Sequence, residues 1–265
     1  LGLQKVIETL GKQSWNAYYI PGVKQFKTVP AYRKINVLDM GTADKVCSAV
    51  TCMWELFNAG RPLESMDFIM LEIGSSFSAA VAVKSGKFIN GLGGSIMIGF
   101  GSIGYFDAEL AYLLQPFNKK EFYKSGMNSI IKREFPDKSH FESTMMTHPL
   151  IHDYFELFIE RTVKDLIGLR DTSGFDLNKK TEIYVSGHYS GNTFVMDRLK
   201  RELQNNFKIN LVDQHSTKAG AAAKGAALIG LGLMDGNTKN LIDHIELRTA
   251  DCDSFFNIRI VDREL

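Results

Sequence analysis

The stretch Asp67-Phe68-Ile69-Met70-Leu71-Glu72-Ile73, Gly74-Ser75-Ser76, Phe77-Ser78-Ala79-Ala80-Val81-Ala82-Val83 reads as two buried strands folded back on each other through a turn of small residues. Near-continuous apolar runs of this length mark strands covered on both faces, and Gly-Ser-Ser supplies the turn. Lys84-Ser85-Gly86-Lys87 is a second hairpin turn, and residues 88–92 form the third strand. The chain therefore has a hairpin sheet at its centre that must be sandwiched between other layers.

Working outward, residues 44–58 carry Val46, Val50, Met53 and Phe57 at helical spacing, with Gly60-Arg61-Pro62 as a stop. Residues 16–20 and 35–40 read as strands before it, and residues 6–10 as the end of a helix. Behind the hairpins come a glycine-rich loop at 91–104, a helix over 107–114, weakly patterned residues at 115–147 and an amphipathic helix over 149–169. Then follow a strand at 181–185 entering Ser186-Gly187, a helix at 192–204, a strand at 208–212 and a helix of small residues at 217–233. Hairpins followed by β–α alternation predict an α/β or α+β fold with a mixed sheet flanked by helices.

Composition narrows the function classes. Of 265 residues 45% are hydrophobic and 23% charged, with a net charge of +1. That balance, without a basic run interleaved with aromatics, argues against nucleic acid as a partner. The apolar stretch at 219–234 is too short for a membrane span and is interrupted by Lys224, so no membrane association is expected. Cys47, Cys52 and Cys252 are too few for a disulfide framework, which points to a reducing, cytoplasmic setting.

Four patterns bear on chemistry. The Gly74-Ser75-Ser76 turn is either a plain hairpin or a cradle of N–H groups and hydroxyls for a phosphate, with Glu72 placed to hold a water on Mg²⁺. Ser186-Gly187-His188 is either an ordinary crossover turn or a backbone approach to a flat or anionic ligand. The small residues of Lys218-Ala219-Gly220-Ala221-Ala222-Ala223-Lys224-Gly225-Ala226-Ala227 let a helix pack closely on a sheet or a ligand. Gly99-Phe100-Gly101-Ser102-Ile103-Gly104 has a dinucleotide-binding spacing but lacks a strand immediately before it. His148 and His152 have metal-ligand spacing without a clear third ligand and read as structural.

The order of hairpin, strand-Gly-helix and Ala/Gly helix resembles the acetate kinase, sugar kinase, heat-shock chaperone and actin superfamily. Pro21-Gly22-Val23, Val29-Pro30-Ala31-Tyr32-Arg33-Lys34, Asp39-Met40-Gly41-Thr42-Ala43-Asp44-Lys45, Asn90-Gly91-Leu92-Gly93-Gly94 and Asp107-Ala108-Glu109-Leu110 resemble its archaeal predicted butyrate kinases. That resemblance implies an actin-like (ribonuclease H-like) ATPase fold whose first lobe is incomplete in these residues. Residues 1–60 would be the rest of the first lobe with its connecting helix, 61–216 the second lobe, and 217–265 the second connecting helix and tail.

The resemblance also implies ATP and Mg²⁺ as cofactors and a small carboxylate as phosphoryl acceptor, or else a non-enzymatic ATP-binding regulator. A homodimer is compatible with either. Gly74, Ser75, Ser76, Ser186, Gly187, His188 and Gly225 would bind the nucleotide, and Glu72 the metal's water. His188 stands where the family commonly has arginine. Arg33, Asp39, Asp44 and Lys45 would face the acceptor, with Arg33 or Lys45 the expected cation for the transferred group. With the first phosphate loop outside these residues, the chain by itself is expected not to phosphorylate, and to expose an apolar side at residues 16–20.

Overall fold

The computed structural model describes residues 3–13, 15–116, 118, 121, 126–134, 148–212 and 220–259. Five strands make one mixed sheet: β1 (Phe68–Ile73), β2 (Ser78–Lys84), β3 (Lys87–Leu92), β4 (Thr181–Ser186) and β5 (Phe207–Leu211). Their order is β3-β2-β1-β4-β5. The two hairpin connections give antiparallel pairs, while β4 and β5 run parallel to β1. The helices are α1 (Leu3–Gly11), α2 (Ala43–Asn58), α3 (Ala108–Leu113), α4 (Met127–Glu134), α5 (Pro149–Thr172), α6 (Thr193–Leu203), α7 (Ala221–Leu233) and α8 (Lys239–His244).

Residue parity assigns each strand's side chains to a layer. Ile69, Leu71 and Ile73 of β1, Ala80 and Ala82 of β2, and Ile183 and Val185 of β4 pack with Phe155, Phe158, Leu166, Val195 and Leu199 of α5 and α6. The alternate residues Phe68, Met70, Val81, Val83 and Tyr184 pack with Val46, Val50 and Met53 of α2 and Ile229 of α7. Each fully buried side chain of this kind contributes about 1.5–3 kcal/mol. A one-residue slip of β1 would exchange its two faces and put Glu72 into the α5/α6 core, so the register is strongly specified.

The three central strands and helices α2, α5, α6 and α7 follow the sequence expectation closely. Two expected strands do not form. Residues 16–19 run as exposed irregular chain up to the half-buried Ile20, and residues 35–40 contain a left-handed residue, Asn36 at φ 55°, which breaks an extended run. Ile35 and Leu38 are exposed, and the segment is tied down by single bonds, such as Gly93 N–H to the Asp39 carbonyl. The apolar alternation there marks a covering segment, not a ladder. Phe57 is also exposed, so the buried stripe of α2 ends at Met53. The residues 217–219 expected to begin the last large helix lie outside the described residues, as do most of 115–147.

One buried carboxylate sits in the α5 layer. Asp165 is 4% exposed; Tyr105 donates its hydroxyl to Oδ1 at 3.0 Å, and Oδ2 has no partner. Burial pushes its carboxyl up to about 6, against Tyr105 and Arg161, which pull it down. Folding thus favours the protonated form. That stability is complete below the ordinary value of 3.8 and is lost as pH rises through about 6. The loss amounts to about 3 kcal/mol at neutral pH. Asp165→Asn is expected to raise the denaturation midpoint at pH 7 and to flatten the pH dependence of stability between pH ~4 and ~7. Unchanged chemical denaturation curves across that range would remove the charge from Asp165.

Candidate functional site

Glu72 and Ser186 are paired neighbours on β1 and β4. By parity both point to the α2/α7 layer, at the strand ends where the chain leaves the sheet. Here β1 turns into the hairpin at Gly74, whose N–H donates to the Phe77 carbonyl at 2.9 Å. From β4 the chain passes through Gly187 at φ 96°, directly over the end of β1: a Cβ at Gly187 would lie 2.5 Å from the Ile73 carbonyl oxygen. The sequence motifs around Gly74 and Gly187 therefore meet at one sheet end. Between them and the first residues of α7 lies a cleft of about 410 Å³, lined by Ser48, Glu72, Ser186, Gly187, His188, Gly220, Ala221 and Ala222.

The floor of this cleft is an ion-pair cluster. Lys45 Nζ donates to Glu72 Oε1 at 2.8 Å and also to Asp44, and Ser48 Oγ donates to Glu72 Oε2 at 3.0 Å. The side chains of Lys45 and Glu72 are only 10% and 15% exposed. Burial works against the Lys45 charge, but Glu72 and Asp44 outweigh it and raise its pKa. Burial likewise works against the Asp44 charge; Lys45 and Thr42 outweigh it and hold that carboxyl below its usual range. Ser48 was not singled out in the sequence. The signal was present: Lys45 and Ser48 stand i, i+3 on the buried face of an apolar helix, where polar residues need partners.

The walls are different. Ser186 is 1% exposed, and among the described residues its hydroxyl has no hydrogen-bond partner. The first turn of α7 begins beside it at Ala221, with Gly220 as N-cap and no capping side chain. The His188 ring stands edge-on to Tyr189, which stacks on Phe100 at 3.8 Å. The glycine-rich loop supports the hairpin turn from behind: the N–H groups of Gly101 and Ser102 donate to the Ser76 carbonyl at 2.8 and 2.9 Å, and Asn128 Nδ2 donates to the Ser75 carbonyl at 2.8 Å. Its G-x-G-x-x-G spacing serves that buttress.

Other expected site residues lie elsewhere. Gly225 is buried against α2, where a Cβ would come 1.8 Å from the Cys47 carbonyl oxygen; it is a helix-contact residue and does not line the cleft. Arg33 donates to the carbonyls of Ile89 and Thr172, tying β3 to the end of α5. Arg33→Ala is expected to cost about 1.5–3 kcal/mol of stability, the range for bonds to a charged group, while leaving ligand affinity of the cleft unchanged. Denaturant melts beside ligand titrations would check both halves.

Asp39 accepts from the N–H of Gly41 at 2.9 Å and from Ser95, and packs on Gly93. It borders a separate hollow of about 800 Å³, together with Lys24, Thr42, Arg248 and Asp251. The charged groups there are engaged: Lys24 Nζ by the Ser254 carbonyl at 2.8 Å and Arg248 by the Leu233 carbonyl at 2.9 Å. Arg33, Asp39 and the Asp44–Lys45 pair thus do not converge on one acceptor site. Cys47 and Cys52 are buried packing residues; burial pushes the Cys47 thiol up to about 11.

Residues 1–259 match the family described as Protein of unknown function (DUF1464). The chain belongs to that family. No curated protein matches this DUF1464 member. Among solved structures it is similar to the acetate kinase of Entamoeba histolytica, with 14% identity and a TM-score of 0.53, over 70% of this chain and 50% of that one. It is also similar to the acetate kinase of Porphyromonas gingivalis, with 14% identity and a TM-score of 0.48, over 60% and 42%. The chain spans about half the length of the acetate kinases it matches. The fold of this DUF1464 chain is thus the actin-like one that it shares with acetate kinase. Among the described residues no helix is long and apolar enough to cross a membrane.

Proposed function

We propose that the cleft between β1, β4 and α7 binds an adenine nucleotide, and that this chain works as a nucleotide-binding protein that does not transfer the phosphoryl group by itself. The observation that carries the reading is the Ser186 hydroxyl: buried, unpartnered and on the cleft wall beside the N-terminus of α7. A buried hydroxyl without a partner costs about 1–3 kcal/mol, which a ligand acceptor atom repays. The free first-turn N–H groups of α7 favour the same kind of atom. The exposed Ser75 and the turn around it extend the row of donors towards solvent, where the phosphates would lie.

Phosphoryl transfer to a small carboxylate is the activity that the family resemblance implies. The engaged cations favour the regulatory alternative. Arg33 is committed to two carbonyls and Lys45 to two carboxylates. Among the described residues, no arginine lines the cleft to stabilise charge on a transferring group.

Calorimetric titration with ATP is expected to show one nucleotide bound per chain. Ser186→Ala should weaken binding about tenfold, the equivalent of one hydrogen bond of about 1.4 kcal/mol. Assays with acetate and butyrate as acceptors should show no acyl phosphate. Absence of ATP binding would overturn the nucleotide reading, and turnover by this chain would overturn the regulatory one.

A further inference from the structure

A divalent cation is the expected companion of a nucleotide in this fold, and Glu72 is the residue expected to serve it. The donor set does not fit. Mg²⁺ binds through oxygen ligands in near-octahedral geometry, with one or two carboxylates and several waters. Each oxygen of Glu72 already accepts one of its two possible hydrogen bonds, from the Lys45 ammonium at 2.8 Å and from the Ser48 hydroxyl at 3.0 Å, so direct metal ligation there has to compete with a cation in place. Asp44, the other carboxylate nearby, holds the same ammonium. Among the described residues, no three of His, Cys, Asp and Glu stand together as a ligand set.

We propose that Lys45 is the built-in cation of this site: its ammonium takes the place of a divalent ion on Glu72, and the cleft binds its ligand without a metal held by the protein. Only the identity of the ligand rests on the nucleotide reading; the assignment of the cation does not. Three features carry it. Lys45 lies in the first turn of α2, so the helix itself fixes its Cα above the end of β1. Its side chain and that of Glu72 are both nearly covered. A metal binding directly at Glu72 would have to displace the ammonium from a nearly covered ion pair and leave Lys45 with Asp44 alone.

The charge count is consistent with this. Lys45 balances one of two carboxylates, and the other, Asp44, is 48% exposed and screened by water. An ammonium has three N–H donors. Asp44 and Glu72 take two of them, so the ammonium stays on the carboxylates beneath the cleft lining.

The test uses Mn²⁺ alone as the first probe, followed by the electron paramagnetic resonance signal of the free aquo ion. The wild-type chain should leave Mn²⁺ free up to millimolar concentration; a wild-type site that disappears in Glu72→Gln overturns the proposal. Lys45→Met should bind Mn²⁺ at least about tenfold more tightly than wild type, because Asp44 and Glu72 are released; no gain in a folded variant overturns the proposal.

Should Lys45→Met fail to fold, the wild-type chain still decides. ATP affinity measured in EDTA and in excess Mg²⁺ should agree within about threefold, and binding that occurs only with Mg²⁺ overturns the built-in cation while leaving the nucleotide reading intact. If ATP binds under neither condition, the nucleotide reading fails and the Mn²⁺ titration alone judges Lys45.

Discussion

Replacing Gly225 with alanine is expected to destabilise the protein by about 3 kcal/mol or more, at the upper end of the overpacking range. The added Cβ would stand 1.8 Å from the Cys47 carbonyl oxygen and 2.4 Å from its carbon. Both belong to the backbone of α2, so no side-chain rotation relieves the clash; the two helices must separate. That contact is central to the layer, since Thr51 of α2 also donates to the Ala221 carbonyl at 2.7 Å. In a chain of this size, 3 kcal/mol lowers the thermal midpoint by roughly 6–12 °C.

Gly230, one and a half turns further along α7, provides the control. A Cβ there meets nothing within 4 Å. Gly230→Ala should therefore stabilise by about 0.5–1 kcal/mol through helix propensity and unfolded-state entropy. Opposite signs within one helix would separate close packing from a general intolerance of substitution. Equal small effects at both positions would show that α2 and α7 are not in backbone contact.

Lys45→Met is expected to cost about 3–5 kcal/mol, the penalty for removing one partner of a buried ion pair. Glu72 would keep its Ser48 bond but lose its counter-charge, and Asp44 would lose the ammonium that holds its carboxyl below the usual range. The double replacement Lys45→Met/Glu72→Met removes both buried charges. It should recover much of the loss, because apolar groups of similar size often replace a buried pair without net cost.

The pH dependence carries a second signature. A depressed carboxyl contributes stability above its unfolded value of 3.8 that is lost as pH falls through the folded value. The wild type should lose the Asp44 contribution below pH ~4, and Lys45→Met should show a smaller step, with the Thr42 hydroxyl still on Asp44. Additive single effects in the cycle would show that Lys45 and Glu72 do not interact.

The hairpins and the β–α alternation were legible in the sequence because they are written locally. The apolar runs of β1 and β2 and the turns at Gly74 and Gly86 each depend on residues close together in the chain. The missing strand at 35–40 had local apolar alternation as well, and the one at 16–20 ran into a Pro-Gly turn. Pairing requires a neighbouring strand, and no periodicity says whether one is there. Asn36 in a left-handed conformation, with its N–H on the Asn257 carbonyl at 3.0 Å, shows that this segment answers to the tail of the chain instead.

For the site, residue type and position separated in the same way. Sequence alone established that Glu72, Gly74, Ser186 and Gly187 end two strands, and a parallel sheet brings such ends together. It also established Lys45 on a helix beginning nearby. Only the tertiary structure decided what each polar group meets. Lys45 and Ser48 were 27 and 24 residues from Glu72 and close on it through the α2 layer. Arg33 found carbonyls 56 and 139 residues away and so left the cleft. Ser186 found nothing, and that became the clearest pointer to a ligand. The physical reason is range. Backbone geometry is set by near neighbours, whereas a buried charge or hydroxyl must be satisfied by whichever distant group the packing brings within about 3 Å.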